Sequence, residues 1–283
     1  MPNAVRSRAA TGDRSPGLID TAAIFAAHFH FASAASLNFD GTFGVEAIVD
    51  GPPMDSLGLT FTNQFTVGLW VKWNDSDIPD AWQGVANATS TWLGLDDGWG
   101  IYWSGGNDLN FFINSFNGNF ARFDNISDVN VWNFIVGVYD GTLGSDNIKL
   151  YVNGVVGNIT DDYTQDITGQ VNNVQLGQTA NDMTSAGADW TFGHLDEFGI
   201  WNTALSSDAI ATLYNSGAPT NLAINSGSYM GENNLALWWR CGEAGDSNTA
   251  DGINDRSVAG NSNAGTMVNM EDDDIDTVDF AGA

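Results

Sequence analysis

Short segments with alternating apolar residues constrain the fold of this chain more than any other feature. Between residues 65 and 73 every odd position is apolar: Phe65, Val67, Leu69, Val71 and Trp73. The even positions between them include Thr66 and Lys72. Successive side chains of a β strand point to opposite faces, so a period of two predicts a strand with one face in a core.

Further strand-like segments follow, separated by turn signals. The even positions of residues 132–138 are all apolar, and residues 148–152 alternate in the same way. Asn153 and Gly154 come next and form the strongest short hairpin signal, because both residues tolerate positive φ. The glycine loop at residues 105–106 predicts a second hairpin. These patterns indicate a chain of many short antiparallel strands.

One short helix is predicted late in the chain. Ser206 is a suitable N-cap, Ile210 and Tyr214 share one helical face, and Gly217 stands where such a helix would end. The rest of the composition favours strands, since the 283 residues include 33 glycines but only 8 Lys plus Arg.

Net charge excludes some classes of partner. The formal net charge is −27, and such a polyanion repels nucleic-acid phosphates and anionic membrane surfaces. We therefore expect no nucleic-acid partner and no membrane association. Cys241 is the single cysteine, so no disulfide can form within the chain.

Five motifs, in order, resemble those of concanavalin-A-like jelly rolls of the laminin-G and pentraxin type. They are residues 36–41, 65–73, 132–141, 148–154 and 193–205. The resemblance implies an all-β fold, a concanavalin-A-like jelly-roll β-sandwich with one short helix and N- and C-terminal extensions. It does not specify a function, since sandwiches host lectins, adhesion modules, glucanases and virion proteins.

The resemblance divides the chain into three parts. Residues 1–35 form an N-terminal arm, predicted to be retained rather than cleaved as a signal peptide; residues 36–217 form the jelly roll; residues 218–283 form a C-terminal extension. Within the extension, residues 235–243 resemble a stretch that usually precedes the first strand of the family. The domain is therefore circularly permuted, begins a second truncated copy, or pairs this strand with a neighbouring copy. This arrangement resembles jelly rolls of environmental bacteriophage virions.

A catalytic role is not expected. The catalytic relatives that the resemblance brings in are glucanases, which carry a Glu-x-Asp-x-x-Glu motif that supplies two carboxylates. None of the five glutamates of this chain lies in such a pattern: Glu46, Glu197, Glu232, Glu243 and Glu271. Asp196 and Glu197 are adjacent, so on a regular strand they would point to opposite faces. We predict that the protein is not an enzyme. A polysaccharide-cleaving enzyme of unfamiliar type is the alternative.

The resemblance also implies a calcium site. In relatives, the Asp of the closing strand joins oxygens near the first strand, which here points to Asp196 with Asp40 and Gly41. Calcium favours several oxygen ligands from a flexible loop. The alternative is that Asp196 ends a strand and accepts backbone hydrogen bonds.

Eleven tryptophans raise the question of sugar stacking. Trp70, Trp73 and Trp132 are expected in the core. A second group lies in or near loops rich in Asp and Gly and could form a glycan site: Trp92, Trp99 and Trp103, with Asp96 and Asp97. The alternative is that these loop tryptophans are also buried.

Assembly is the leading interpretation. Arg6, Arg8 and Arg14 make the arm basic on an acidic body, and Trp238 and Trp239 alternate sides of the late strand, so one is expected to meet a partner. The leading hypothesis is a non-catalytic phage structural protein, in a capsid decoration, tail or fibre. Its expected partners are other virion proteins, copies of itself in a homo-oligomer, and a host-surface glycan. The alternative is a calcium-dependent glycan-binding or adhesion module, extracellular or on a cell surface.

Overall fold

Two antiparallel sheets make up the fold seen in the computed structural model. It describes residues 31–39, 47–57, 63–74, 83–90, 97–104, 107–114, 118–126, 130–157, 161–178, 191, 193–247, 252–257 and 263–283. The strands in these residues are β1 (Ser36–Phe39), β2 (Ile48–Pro53), β3 (Gln64–Trp73), β4 (Gln83–Ala88), β5 (Trp99–Ser104), β6 (Asp108–Ile113), β7 (Phe120–Phe123), β8 (Asn133–Asp140), β9 (Ile148–Val152), β10 (Val155–Val156), β11 (Asn173–Leu176), β12 (Gly193–Trp201), β13 (Leu235–Trp239), β14 (Thr266–Val268) and β15 (Ile275–Asp276). One α-helix, α1 (Ser207–Tyr214), and four short 3₁₀ turns (Met54–Leu57, Asn215–Gly217, Glu232–Asn234 and Asp272–Asp274) accompany them.

The sheets have eight and seven strands. The eight-stranded sheet runs β10-β9-β8-β3-β12-β1-β15, with β13 also pairing with β12. The seven-stranded sheet runs β14-β2-β11-β4-β5-β6-β7. The predicted all-β jelly-roll class is confirmed.

The core lies between the two sheets. All five odd positions of β3 that the alternation selected are in it, and the facing sheet contributes Trp99, Ile101 and Phe111. The hairpin at Asn153-Gly154 is also confirmed, with φ of 52° and 79° at the two residues, the positive values that a tight hairpin turn requires.

The outer face of the eight-stranded sheet is covered by a second apolar layer. Trp70 packs against Phe134 at 5.1 Å and against Tyr214 of α1 at 6.0 Å between ring centroids. Trp70 therefore lies on the outer face rather than in the core. Trp132 is only half-buried, because it precedes β8 at the edge of this layer. Of the three tryptophans expected in the core, Trp73 lies between the sheets, Trp70 is buried in the outer layer at 2% exposed, and Trp132 is not in the core.

Helix α1 begins as the sequence predicts. The Ser206 hydroxyl accepts a hydrogen bond from the backbone N–H of Ala209 at 3.2 Å. It ends earlier than expected, at Asn215, whose φ of 45° places it in the left-handed region, and a 3₁₀ turn carries the chain on to Gly217. Asn tolerates this conformation, so a glycine is not required there.

The predicted C-terminal extension contributes strands to both sheets. Strand β13 pairs with β12 of the same chain, β14 pairs with β2, and β15 pairs with β1. Residues 32–283 form one compact unit. Among the described helices, none is long and apolar enough to cross a membrane.

Candidate functional site

A row of mostly polar residues crosses the outer face of the seven-stranded sheet. Successive register partners along it are Thr266, Asp50, Gln175, Asn87, Gly100, Phe112 and Phe120. The residues flanking Gln175 and Asn87 in sequence belong to the core, so the row itself faces outward. We call these seven residues the amide row.

The acidic end of the row is centred on Asp50. Its Oδ1 accepts hydrogen bonds from Gln175 Nε2 at 2.7 Å and from Asn173 Nδ2 at 3.1 Å. Its Oδ2 lies 3.2 Å from the same Asn173 nitrogen. Asp50 and Asn173 are half-buried and Thr266 is exposed. Two amides thus hold an accessible carboxylate in one orientation. We call Asp50, Asn173 and Thr266 the acidic end.

The middle of the row is buried and bonded internally. Asn87 Nδ2 donates to the backbone oxygen of Gln178 at 2.8 Å, and Gln178 Nε2 donates to Gln175 Oε1. Gln175 is 5% exposed and Asn87 1%. These amides therefore position their neighbours and are not themselves open to a ligand.

The far end of the row is aromatic and carries one cation. The Phe112 ring lies over Gly100, since a Cβ built on Gly100 would come 2.5 Å from Phe112 Cε1. Arg122 donates from Nε to Asn110 Oδ1 at 3.1 Å, and its Cζ is 5.4 Å from the Phe120 ring centroid. Its Nη1 is 3.6 Å from Asp108 Oδ2. The cation is thereby already engaged by the protein.

The predicted tryptophan glycan site is not formed as expected. Trp99 is 0% and Trp103 1% exposed, because both lie on the core face of β5. Trp99 Nε1 donates to Met54 Sδ at 3.0 Å, and Trp103 packs on Trp73 with ring centroids 4.6 Å apart. Neither ring offers a free face to a sugar. Both tryptophans are buried, as the alternative to a glycan site predicted.

Asp97, from the same prediction, has a structural role. It accepts hydrogen bonds from Ser90 N–H, Thr89 Oγ1 and Asn172 Nδ2 at 3.0–3.1 Å. Burial raises the pKa of Asp97, but these hydrogen bonds outweigh it and leave the pKa lowered. Trp92 and Asp96 lie outside the described residues.

The described surroundings of Asp196 do not fit a calcium ion. Asp196 is 0% exposed and accepts hydrogen bonds from the backbone N–H groups of Glu197 at 2.7 Å and Ala281 at 3.1 Å. Burial raises its pKa well above the usual value, and the neighbouring Glu197 carboxyl raises it further. Calcium requires oxygen ligands, whereas N–H donors surround this carboxyl. Asp40 and Gly41 lie outside the described residues, so their part in a calcium site stays a prediction.

Asp196 and Glu197 do not sit on a regular strand. The register of β12 against β3 shifts between Asp196 and Gly199, and Glu197 has a φ of 50°. A bulge of this kind breaks the alternation of faces. The expectation that the pair would point to opposite faces of a regular strand therefore fails at this bulge, and both carboxyls are buried.

Glu197 is held by the C-terminal region. Its Oε2 accepts from Trp238 Nε1 at 2.7 Å and its Oε1 from Arg240 Nε at 2.9 Å. Arg240 also pairs with Glu243 Oε1 at 2.9 Å. Burial raises the pKa of Glu197 to about 7, although Arg240 and the Trp238 hydrogen bond lower it. We call Asp196, Glu197, Trp238, Arg240 and Glu243 the carboxylate cluster.

Neither predicted assembly tryptophan lies on the surface of this chain. Trp239 is in the core, packing on Phe198 at 5.5 Å, and donates from Nε1 to the Asn263 oxygen at 2.8 Å. Trp238 is buried against Glu197 and Arg240. Contact with a partner would require β13 to leave β12, so this role stays a prediction. Arg6, Arg8 and Arg14 lie outside the described residues.

Sequence reasoning missed the acidic end. Its signal was Gln175 between Val174 and Leu176, a polar residue between two apolar ones, which marks an outward position on a strand. Such positions meet only if their strands are neighbours in the sheet, and short motifs do not show the order of the strands. Within the described residues, no group of three or more His, Cys, Asp or Glu is arranged to hold a metal ion.

A comparison with a solved structure agrees with this architecture. A putative carbohydrate binding protein from Bacteroides ovatus superposes with a TM-score of 0.58 at 15% identity, over 84% of this chain and 58% of its own length. This likeness shows the fold. The native heptameric SAP-like pentraxin from Limulus polyphemus superposes with a TM-score of 0.47 at 15% identity, over 64% of this chain and 82% of its own. No curated protein has significant sequence similarity to the chain.

The family assignment comes from the sequence itself. Residues 49–211 match the family described as the concanavalin A-like lectin/glucanases superfamily. The matched segment covers more than half of the 283 residues; it begins within β2, includes β3 to β12 and ends within α1. This protein therefore belongs to the concanavalin A-like lectin/glucanase superfamily.

Proposed function

We propose that this protein binds a glycan without cleaving it, through the acidic end of the amide row. One observation carries the proposal: the Asp50 carboxylate is held by two amides at an accessible position beside an exposed hydroxyl residue. The fold that the chain shares with a putative carbohydrate binding protein is consistent with it.

The chemistry of the acidic end suits sugar hydroxyls. An ionised carboxylate accepts about four hydrogen bonds, and Asp50 receives three contacts from two amides, two of them from one nitrogen. Lone pairs on Oδ2 thus remain for hydroxyl donors. Thr266, the register partner of Asp50, adds a hydroxyl that both donates and accepts. Because the amides already fix the carboxylate, binding costs little side-chain entropy.

Hydrolysis is not favoured by the spacing of carboxylates on this face. Glycosidases place two carboxyls about 5–9.5 Å apart. Asp50 is the one carboxylate in the amide row, and Asp108 on β6 is four strand positions away from β2. At ~4.8 Å per strand the two are separated by at least about 19 Å across the sheet. A sugar at Asp50 is therefore beyond the reach of Asp108.

A glycan array followed by titration calorimetry tests the proposal. The array identifies a bound glycan, and Asp50→Asn is then titrated with it. We expect at least about tenfold weaker binding, because the charge that accepts the hydroxyls is lost. Asp55→Asn is the matched control, since Asp55 is exposed and lies outside the row. Unchanged affinity in Asp50→Asn would contradict the proposal, and new reducing ends would replace it with catalysis.

The finer expectations remain predictions. Membership of a phage virion, anchorage by the arm and homo-oligomerisation rest on the sequence resemblance. Immunogold labelling of particles and light scattering of the purified protein test them. The titration is repeated in EDTA, and loss of binding there would restore the predicted calcium site.

A further inference from the structure

A short strap from the C-terminal region lies on the other sheet. We define the strap as residues 275–281. Its backbone pairs with β1 at only two positions, Ser36 with Asp276 and Leu37 with Ile275. Both ends of the strap are anchored, since Ile275 packs against the core and the buried Ala281 donates its N–H to Asp196. Its middle is held by the carboxylates of Asp276 and Asp279 and by a hydrogen bond from Ser36 Oγ to the Asp279 carbonyl, and Val278 there is 82% exposed.

The strap delivers one carboxylate to a set of donors. Lys72 Nζ donates to Asp279 Oδ2, and Trp132 Nε1 donates to Asp279 Oδ1 at 3.0 Å. Next to them, His194 Nε2 lies 3.2 Å from Asp276 Oδ2. An ammonium and an indole N–H, each on a different oxygen, are the donors that a carboxylate ligand needs. We call Lys72, Trp132, His194 and Asn38 the carboxylate pocket.

The strap does not satisfy the whole pocket. Lys72, His194 and Asn38 are register partners across β3, β12 and β1, so their side chains share one face. His194 is 8% exposed, yet its Nδ1 has no hydrogen-bond partner among the residues that the structure describes, and the same is true of the buried Oδ1 of Asn38. A buried polar atom without a partner destabilises the folded state, because its hydrogen bonds to water are lost and not replaced. His194 Nδ1 and Asn38 Oδ1, on neighbouring strands, can therefore each accept a hydrogen bond that the strap does not donate.

We propose that the carboxylate pocket is a second ligand site, which takes a carboxylated sugar of the uronate class. The sugar carboxylate replaces that of Asp279 between Lys72 and Trp132. Its hydroxyls then reach the two atoms that the strap leaves unsatisfied, Asn38 Oδ1 and His194 Nδ1. The half-buried indole of Trp132 adds a ring beside the sugar. This site lies on the opposite sheet from the acidic end and stands independently of it.

The strap makes this site self-inhibited. Asp279 is tethered, so its effective concentration at the pocket is in the millimolar range or above. A free uronate must compete with it. Breaking the Lys72–Asp279 ion pair from its two sides should therefore have opposite effects on binding. If the ion pair were purely structural, the two variants would not change ligand affinity in opposite directions.

Titration calorimetry with hexagalacturonate tests the proposal. At about 0.15 M salt the Debye length is ~8 Å, which limits repulsion by the net charge of the chain. We expect Asp279→Asn to bind the hexamer about tenfold more tightly than the wild type, and Lys72→Met to lose binding. Asp273→Asn and Lys149→Met are the matched controls, because both charges lie outside the pocket, and both should bind like the wild type. The methyl-esterified hexamer should not bind.

Several results would overturn the proposal. One is an equal change of affinity in Asp279→Asn and Lys72→Met. Another is binding of the methyl-esterified hexamer. A third is that Asp279→Asn binds a peptide with the strap sequence but does not bind the hexamer. Hydrogen exchange of the wild type supplies a measurement that does not depend on any variant. Saturating hexagalacturonate should accelerate exchange in residues 275–281, and unchanged exchange at saturation would also contradict displacement of the strap. Loss of binding in Asp50→Asn concerns the other site and leaves this result unaffected.

Discussion

The two sheets of this protein use their outer faces in opposite ways. On the eight-stranded sheet, Trp70, Phe134 and Tyr214 form a second apolar layer beneath α1. On the seven-stranded sheet, the corresponding face presents Asp50 and a run of amides. Around Trp70 the first face is closed by the chain itself, whereas the second face keeps accessible polar groups at its acidic end. The covered part of the eight-stranded sheet therefore serves packing, and glycan recognition at Asp50 is assigned to the other sheet. The carboxylate pocket lies on the eight-stranded sheet outside that covered part.

The contrast is visible in the strands. Strand β3 is buried at eight of its ten positions, since both of its faces are covered. On the seven-stranded sheet, by contrast, Gln175 is flanked by two core residues and carries an amide on the outer side. A strand that is buried on both faces, such as β3, serves the packing of the fold. A polar residue between two core residues, such as Gln175, marks an outward position whose neighbours can be tested for binding.

Removing the apolar layer should give the largest effect. We expect Trp70→Ala to lower the free energy of unfolding by about 3–5 kcal/mol, because a buried indole leaves a cavity. Urea denaturation monitored by circular dichroism measures it. A loss below about 1 kcal/mol would show that this face is not closed by packing.

The carboxylate cluster should make stability depend on pH. The pKa of Glu197 is raised from 4.5 to about 7 in the folded protein. Folding therefore favours the protonated form, so this contribution is fully present below about pH 4.5 and is lost as the pH rises through about 7. The upper limit of the loss is ~3 kcal/mol. Glu197→Gln should flatten the decline between pH 5 and 8, whereas the exposed control Glu271→Gln should keep the wild-type slope.

Gly100→Ala probes the aromatic end of the amide row. A Cβ there would meet the Phe112 ring at 2.5 Å, so the ring must move. We expect a loss of about 1–2 kcal/mol by thermal denaturation. Gly118→Ala is the control, because nothing lies within 4 Å of a Cβ at that position. Equal melting temperatures for the two variants would show that Phe112 does not rest on Gly100.

The smallest effect on stability is expected at the acidic end. Asn173→Ala removes one amide donor from Asp50 and should cost no more than about 1 kcal/mol. It should nevertheless weaken glycan binding, because Asp50 loses part of its orientation. If Asn173→Ala unfolded most of the protein while the remaining folded fraction bound the glycan normally, this end of the sheet would serve stability and not recognition.

Local signals in the sequence predicted local structure correctly. The alternation in residues 65–73 predicts β3, Asn153-Gly154 predicts a hairpin, and Ser206 predicts a helix cap; all three are confirmed. Each depends on the conformations of a few neighbouring residues. The fold class followed because several such segments occur in one order.

The candidate sites were harder to predict, because they depend on which strands are neighbours. Asp50 and Gln175 are 125 residues apart and meet only through the pairing of β2 with β11. Trp99 and Trp103 were assigned to a loop site, but β5 turns both rings into the core. The bulge at Glu197 also escaped prediction, since a one-residue change of register leaves no mark in the sequence.

Glycan binding at the acidic end is tested most directly by a backbone NMR titration of the wild type with the glycan selected by the array. We expect the largest amide shift changes at Asp50, Asn173 and Thr266, with little change at Trp70 or Phe134 on the covered face. Shift changes confined to the eight-stranded sheet, or absent from the acidic end at saturation, would contradict it.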